Sequence, residues 1–82
     1  MVIDHIGVAV RSIQRALPRW EQAFGYGQAT EIVTNTRQRV KVVFLEREGS
    51  LPVKLIEPVD DASPIATFTR QGGGFHHVCF RA

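Results

Sequence analysis

The sequence has one cysteine, no long apolar run and no strong excess of either charge, and each absence excludes a class of protein. A single cysteine cannot form a disulfide within the chain, so a disulfide-held fold is excluded. No apolar stretch approaches the roughly 18 residues that a transmembrane helix needs. Asp4 and His5 lie too close to the first residue for a secretory signal. We therefore expect a soluble, cytoplasmic protein without a membrane partner.

The charge distribution gives no sign of a nucleic-acid partner. Ten basic and eight acidic residues leave a net charge of +2, and the basic residues are scattered along the chain. Aromatic residues are not interleaved with them, as a base-stacking surface would require. We expect no nucleic acid to bind, although a few of these cations could contact a small anionic ligand.

The length indicates one small domain that gains stability from a partner. A chain of 82 residues buries only about 60 to 65% of its unfolded surface and is marginally stable alone. No group of cysteine and histidine residues has the spacing of a structural zinc site. Pairing with a second copy is the remaining source of support, so we expect a homodimer.

The first part of the chain predicts a strand followed by a helix. The run VIDHIGVAV, residues 2–10, is rich in β-branched residues and places His5 and Gly7 on one face of a strand. Ser12 can cap a helix that extends to Gly25. Pro18 predicts either a kink or a regular helix that begins only near residue 17. The apolar face of this helix consists of Ile13, Ala16, Leu17, Trp20, Ala23 and Phe24.

From residue 29 the apolar residues recur with a period of two. Residues 29–34 predict a short strand, and NTRQ a turn. Residues 40–46, VKVVFLE, predict a second strand, and residues 53–58, VKLIEP, a third that ends at a proline. On the second strand we expect Val40, Val42 and Phe44 to share one face and Lys41, Val43 and Leu45 the other. We therefore expect residues 1–58 to form a βαβββ module of the α+β class.

A linker and one more strand follow the module. Residues 59–74 predict a linker with a short helix, in which Ser63 is the cap and Pro64 the first helical residue. Residues 75–82, FHHVCFRA, predict a strand. Like DHIGVAV near the start, this strand has a histidine second in a polar pair before a β-branched residue. The echo indicates the first strand of a second, incomplete module.

Several of these segments together resemble a known family. The runs IDHIGVAV, WEQAFGYG and VKVVFLE, and above all the combination of EP, SPIATF and GGGFHHV, resemble the first half of the methylmalonyl-CoA epimerase family and its glyoxalase-like relatives, in the vicinal oxygen chelate superfamily. The resemblance covers essentially the whole chain. It implies paired βαβββ modules that curl into a cup, with a divalent metal (Co, Mn, Ni or Zn) at the bottom. It also implies that His5 and His77 are ligands of this metal.

Two lysines occupy positions where the resemblance implies other residues. Lys54 matches the third metal ligand, normally Gln or Glu, and its ammonium would repel a cation. Lys41 matches the glutamate that acts as the family's base, and a lysine needs a lowered pKa for that role. The fourth ligand, a glutamate of the second module, has no counterpart here. Both lysines are candidates for binding the phosphates or carboxylate of an acyl-CoA-like substrate.

Other reactive side chains have plainer interpretations. We expect His76 to face the opposite side of its strand from His77. Cys79 shares the side of His77 and is interpreted as a buried, inert thiol. Glu46 and Glu57 lie near strand ends and are interpreted as surface carboxylates.

Three hypotheses of function remain open from the sequence. The first is a metal-assisted epimerase, isomerase or lyase that polarises the carbonyl of a small acyl-thioester-like substrate. The second is a metal-free module that binds and sequesters a small molecule. The third is a catalytically silent dimerisation module, or a fragment of a longer protein. The incomplete set of ligands leaves it open whether the chain is an enzyme.

Overall fold

The fold is described by a computed structural model that covers residues 1–82. The strands form one mixed sheet in the order β2, β4, β5, β1, β6, and β3 also pairs with β4. The predicted α+β fold is confirmed. Its elements are β1 Val2–Ala9, α1 Ile13–Phe24, β2 Gly27–Gln28, β3 Val33–Asn35, β4 Val40–Glu46, β5 Val53–Pro58, α2 Ala66–Arg70 and β6 Gly74–Arg81.

The strand β1 lies between the last two strands of the chain. It pairs in parallel with β5 and antiparallel with β6, whereas β4 pairs antiparallel with β5. Gly7 is therefore opposite Lys54 on one side and opposite His77 on the other. These three residues form a row across three neighbouring strands, and this row positions the site described below.

Helix α1 begins immediately after its predicted cap. Ser12 Oγ accepts a hydrogen bond from the Arg15 N–H, and Glu57 Oε1 accepts one from the Ile13 N–H at 2.7 Å. Two of the N–H groups that every helix start leaves unpaired are thus satisfied. The helix continues through Pro18, so the alternative that it begins near residue 17 is wrong. Neither helix is long and apolar enough to cross a membrane.

Two predicted element boundaries differ from the structure. The strand expected over residues 29–34 is replaced by the two short strands β2 and β3, because Thr30 Oγ1 accepts the Phe44 N–H at 3.0 Å and interrupts the regular ladder. Helix α2 begins at Ala66 and not at Pro64. The Ser63 carbonyl accepts the Ala66 N–H at 3.0 Å, so residues 63–66 form a turn that precedes the helix.

The sheet has two faces with different contents. The α1 face packs against helix α1 and holds the larger core, whereas the histidine face carries His5, Lys54 and His77 and is partly covered by α2. This division follows from the alternation of side chains along each strand. The core of the α1 face consists of Ile13, Val43, Leu45, Val53 and Leu55, and that of the histidine face of Ala9, Val40, Ile56 and Ile65.

Candidate functional site

A bulge in β6 brings two adjacent histidines to the same cavity. His77 is opposite Gly7 and Phe75 is opposite Val8, so His76 is an extra residue between the two pairs. An extra residue breaks the strict alternation of side chains. Both histidines therefore line one cavity, and the expectation that His76 faces away from it was wrong.

The close approach of His77 to strand β1 depends on Gly7. A Cβ atom built on Gly7 would lie 2.1 Å from Cε1 of His77, far inside van der Waals contact. The imidazole therefore fills the space that any other side chain would need. Gly7 was predicted only as a small residue of the strand, because the contact joins positions 70 residues apart in the chain.

His5 is a buried neighbour of His77. His5 is 8% exposed, and its Nδ1 forms a 2.8 Å hydrogen bond with Oδ2 of Asp4. The ring also packs edge-on against Phe44 at 5.2 Å and against His77 at 6.0 Å between ring centroids. The structure thus brings together the two histidines that the sequence singled out. Metal binding by this pair stays a prediction.

Lys54 projects from β5 into the cavity that the two histidines of β6 line. Its Nζ lies 5.9 Å from the centroid of the Phe44 ring, within the range of a cation–π contact. The cavity has a volume of about 310 Å³, and aliphatic side chains form much of its wall. Its lining consists of Gln38, Val40, Lys54, Ile56, Pro64, Ile65, His76 and His77.

The electrostatic environment of this cavity keeps His77 neutral. Burial lowers the pKa of His77, and the positive charges of His76, Lys54 and His5 lower it further. The Nδ1 atoms of His76 and His77 are 2.9 Å apart, so one ring donates a hydrogen bond to the other. At neutral pH the His77 imidazole therefore has a nitrogen lone pair available to accept a proton.

The structure does not bring Lys41 into this cavity. Lys41 lies on the α1 face of β4, and its Nζ is 3.8 Å from Oε2 of Glu57. The expectation that Lys41 acts as the base or binds substrate together with Lys54 does not fit this position, because neighbouring residues of a strand point to opposite faces. In the turn before β4, the cavity is lined by Gln38, which the sequence did not single out. Glu57 was interpreted as a surface carboxylate, but it also caps helix α1.

The comparison with known families supports the fold on independent grounds. The sequence pattern of the glyoxalase/bleomycin resistance protein/dioxygenase superfamily matches residues 4–82. The chain belongs to this superfamily. Similar proteins include the uncharacterized Bacillus subtilis protein YqjC, 38% identical over 79 residues, and the mitochondrial methylmalonyl-CoA epimerase of Bos taurus, 33% identical over 79 residues. These matches cover 95% and 94% of the chain, but only 55% and 44% of the relatives.

Two solved structures are similar to this chain over nearly its whole length. A hypothetical protein from Bacillus halodurans is 38% identical with a TM-score of 0.82, over 93% of this chain and 54% of that one. Methylmalonyl-CoA epimerase from Mycobacterium tuberculosis is 26% identical with a TM-score of 0.85, over 94% and 52% of the respective chains. The chain thus spans about half the length of these relatives.

The residues of this glyoxalase-superfamily chain do not by themselves fit the divalent metal that the resemblance implies. The His5 and His77 imidazoles are suitable ligands, and the Asp4 carboxylate orients His5 as outer partners of metal ligands do. The side chain in the position of a third ligand is Lys54, an ammonium in the same cavity as His77. Its charge repels a dication, and an ammonium has no lone pair to donate.

Cys79 lies beside His5 at the far side from Lys54. The two residues are opposite each other on β6 and β1, and potential ligand atoms of Asp4, His5 and Cys79 lie within 4.8 Å of one another. Cys79 is a free, half-buried cysteine, so it is more accessible than the buried thiol that was expected. Nε of Arg81 lies 3.9 Å from Oδ1 of Asp4.

Proposed function

We propose that the histidine face binds a small acyl-thioester-like substrate and moves the proton next to its carbonyl, in an epimerase, isomerase or lyase reaction. The observation that carries this proposal is the convergence of a neutral imidazole, His77, and a cation, Lys54, on one cavity with an aliphatic wall. Two similar proteins are named methylmalonyl-CoA epimerase, which supports an acyl-CoA as the substrate class.

The dimensions and lining of the cavity suit the acyl end of such a substrate. Its volume of about 310 Å³ is at the small end of ligand pockets, so it would hold the acyl group and thioester while the rest of a CoA stays outside. The aliphatic side chains of Val40, Ile56 and Ile65 line the cavity and would leave less room for water beside the reacting carbon of a bound substrate. A drier cavity strengthens the electrostatic effect of Lys54 on the carbonyl oxygen.

A divalent metal is not assigned a step in this reaction. In the version of the proposal that includes one, His5 and His77 would hold it, and it would polarise the carbonyl. That version places a dication next to Lys54, which has no lone pair to donate. The other potential donors, Asp4 and Cys79, lie beside His5 and not in the cavity that Lys54 and His77 line. The proton transfer is therefore attributed to the side chains of the chain itself.

A metal-free binding module is the second candidate function. The same cavity combines one cation with an aliphatic wall, which is sufficient to hold an anionic or carbonyl-bearing small molecule without reaction. In this case the neutral His77 ring would form hydrogen bonds with the bound molecule but would not accept its proton. The two candidates differ in whether a bound acyl thioester exchanges the hydrogen next to its carbonyl.

We also propose that the protein functions as a homodimer through β6. This strand pairs with β1 alone, which leaves a free edge, and Phe75 and Phe80 are 60% and 56% exposed. Unpaired edges and exposed apolar side chains favour association with another chain. Mass measurement in solution tests this proposal: a dimer that Phe80→Ser dissociates supports it, and a monomeric parent protein contradicts it.

Deuterium exchange tests the proposed function. Acetyl-CoA, propionyl-CoA and methylmalonyl-CoA are incubated with the protein in D₂O, and mass spectrometry follows deuterium at the carbon next to the carbonyl. Exchange that His77→Ala abolishes supports proton transfer. Binding by calorimetry without exchange supports the binding module instead. Neither binding nor exchange contradicts both and favours a silent interaction module.

A further inference from the structure

We propose that Lys54 stabilises the negative oxygen that forms when His77 removes the proton, so that the reaction proceeds without a metal. This inference rests on the proposed function and assigns its chemistry to two side chains. It requires that the two groups reach the same substrate atoms from different sides. The row of His77, Gly7 and Lys54 across three strands provides this arrangement.

The middle residue of the row is a glycine, and the His77 ring occupies the space that a side chain there would need. Residues two strands apart in a sheet are separated by about 9.5 Å, which is too far for direct contact of short side chains. The His77 ring extends over Gly7 and thereby approaches Lys54. A carbonyl group placed between the ring and the ammonium would have the proton acceptor on one side and the cation on the other.

The proposed step conserves atoms and charge. A lone pair on a ring nitrogen of neutral His77 accepts the proton, and the C–H bond breaks. Its electron pair forms the carbon–carbon double bond of an enolate, and the negative charge moves to the thioester oxygen. Lys54 donates an N–H hydrogen bond to that oxygen. The imidazolium then returns a proton to carbon, and no oxidant or other reactant is consumed.

His76 acts as a positioning residue for this step. Its Nδ1 is 2.9 Å from Nδ1 of His77. In the tautomer in which His77 Nδ1–H donates this hydrogen bond, His76 holds the His77 ring in place and the Nε2 lone pair of His77 is left to accept the substrate proton. The His76 ring also packs edge-on against Phe68, with centroids 5.3 Å apart, and the residue is exposed. An exposed partner allows the proton on His77 to exchange with solvent, which makes deuterium exchange a suitable measurement.

The charges around the cavity favour an oxyanion over a metal cation. No acidic residue lines the cavity, and Lys54 and two histidines do. A positive group aimed at a developing oxyanion accelerates a reaction by about 10² to 10³ when water is excluded. The same positive charge opposes a dication at this position. One arrangement therefore accounts both for the poor fit to a metal and for catalysis without one.

The test compares metal-dependent and metal-independent exchange. The protein is treated with EDTA, and deuterium incorporation into propionyl-CoA is measured with and without added Zn²⁺, Co²⁺ or Mn²⁺. We expect full exchange with EDTA, a loss of about 10² to 10³ in Lys54→Met, and partial retention in Lys54→Arg. Exchange that EDTA abolishes and a metal restores would overturn the inference but leave the proposed function intact.

A second variant gives a readout that does not depend on activity. Lys54→Glu places a carboxylate beside two imidazoles, a donor set that binds divalent transition metals. We expect this variant to bind Co²⁺ at least about tenfold more tightly than the parent protein, which calorimetry measures. Equal or weaker binding by the variant would contradict the placement of Lys54 beside the histidines. Absence of exchange in every condition would overturn the proposed function and the inference with it.

Discussion

The two faces of the sheet differ in what they bury, although the same strands build both. On the α1 face, Val53 and Leu55 are at most 1% exposed and pack in an aliphatic core. Between them on β5, Lys54 points to the histidine face and lines an open cavity. Alternation along the strand thus separates the residues that stabilise the fold from those available for chemistry. Stability and chemistry can therefore be changed independently.

The largest effect is expected from a cavity in the core of the α1 face. Leu55→Ala removes a side chain that is fully buried, and such changes lower the free energy of unfolding by about 2 to 5 kcal/mol. Urea denaturation measures this loss. Because the change is on the opposite face from the histidines, the exchange rate per folded molecule should not change. A loss of exchange in protein that remains folded would contradict the separation of the faces.

A change on the histidine face should instead lower the exchange rate. Gly7→Ala forces the His77 ring away from strand β1, because its Cβ would lie 2.1 Å from the ring. We expect exchange to fall by about tenfold or more, as misplacement of a reacting group by about 1 Å does. Gly27→Ala is the matched control, since its Cβ would make only an ordinary contact of 3.9 Å. Equal effects of the two substitutions would contradict a role for Gly7 in positioning His77.

The pH dependence of exchange should follow the protonation of His77 on the histidine face. Burial and the charges of His76, Lys54 and His5 lower its pKa, so its neutral form persists below about pH 6.5, the ordinary histidine value. The exchange rate should fall only as the pH drops through this lowered pKa. Lys54→Met removes one of the charges and should raise the pKa of His77, which NMR titration of the ring protons measures. An unchanged or lower pKa would show that the two groups are not neighbours.

The same shift also has a consequence for stability. Because folding lowers the pKa of His77, the unfolded chain binds more protons than the folded one as the pH falls below about 6.5. Protonation of His77 in the unfolded chain therefore lowers the free energy of unfolding as the pH falls. At pH values well above 6.5, His77 adds no pH dependence to this free energy. Comparison of the parent protein with His77→Gln in urea at several pH values isolates the contribution. An equal dependence of the free energy of unfolding on pH in both proteins would contradict this contribution.

Local patterns predicted a large part of the fold. The alternation in residues 40–46 correctly predicted which side chains share a face, and the caps Ser12 and Gly25 marked the ends of α1. The same alternation predicted that His5 and Gly7 lie on one face of β1. These features depend on residues close together in the chain, so the sequence contains their signal.

The parts of the site that were missed depend on distant contacts. The bulge at His76 arises from the register between β1 and β6, which no local pattern specifies. The requirement for glycine at position 7 also appears only when His77 is in place. Lys41 was assigned by its alignment with a family position, but the alternation of β4 places it on the α1 face. The residue types of the site are therefore evident from the sequence, whereas their arrangement depends on contacts between distant strands.

The smallest effect is expected for Lys41→Met. Its comparison with Lys54→Met is the most direct test of which face carries the chemistry. Lys41 and Lys54 lie on neighbouring strands but on opposite faces, and the exposed contact of Lys41 with Glu57 contributes only about 0 to 1 kcal/mol. The measurement is the rate of deuterium exchange into propionyl-CoA for Lys41→Met and Lys54→Met. We predict a rate within about twofold of the parent for Lys41→Met and a loss of about 10² to 10³ for Lys54→Met. Equal losses, or a larger loss for Lys41→Met, would contradict the assignment of the chemistry to the histidine face.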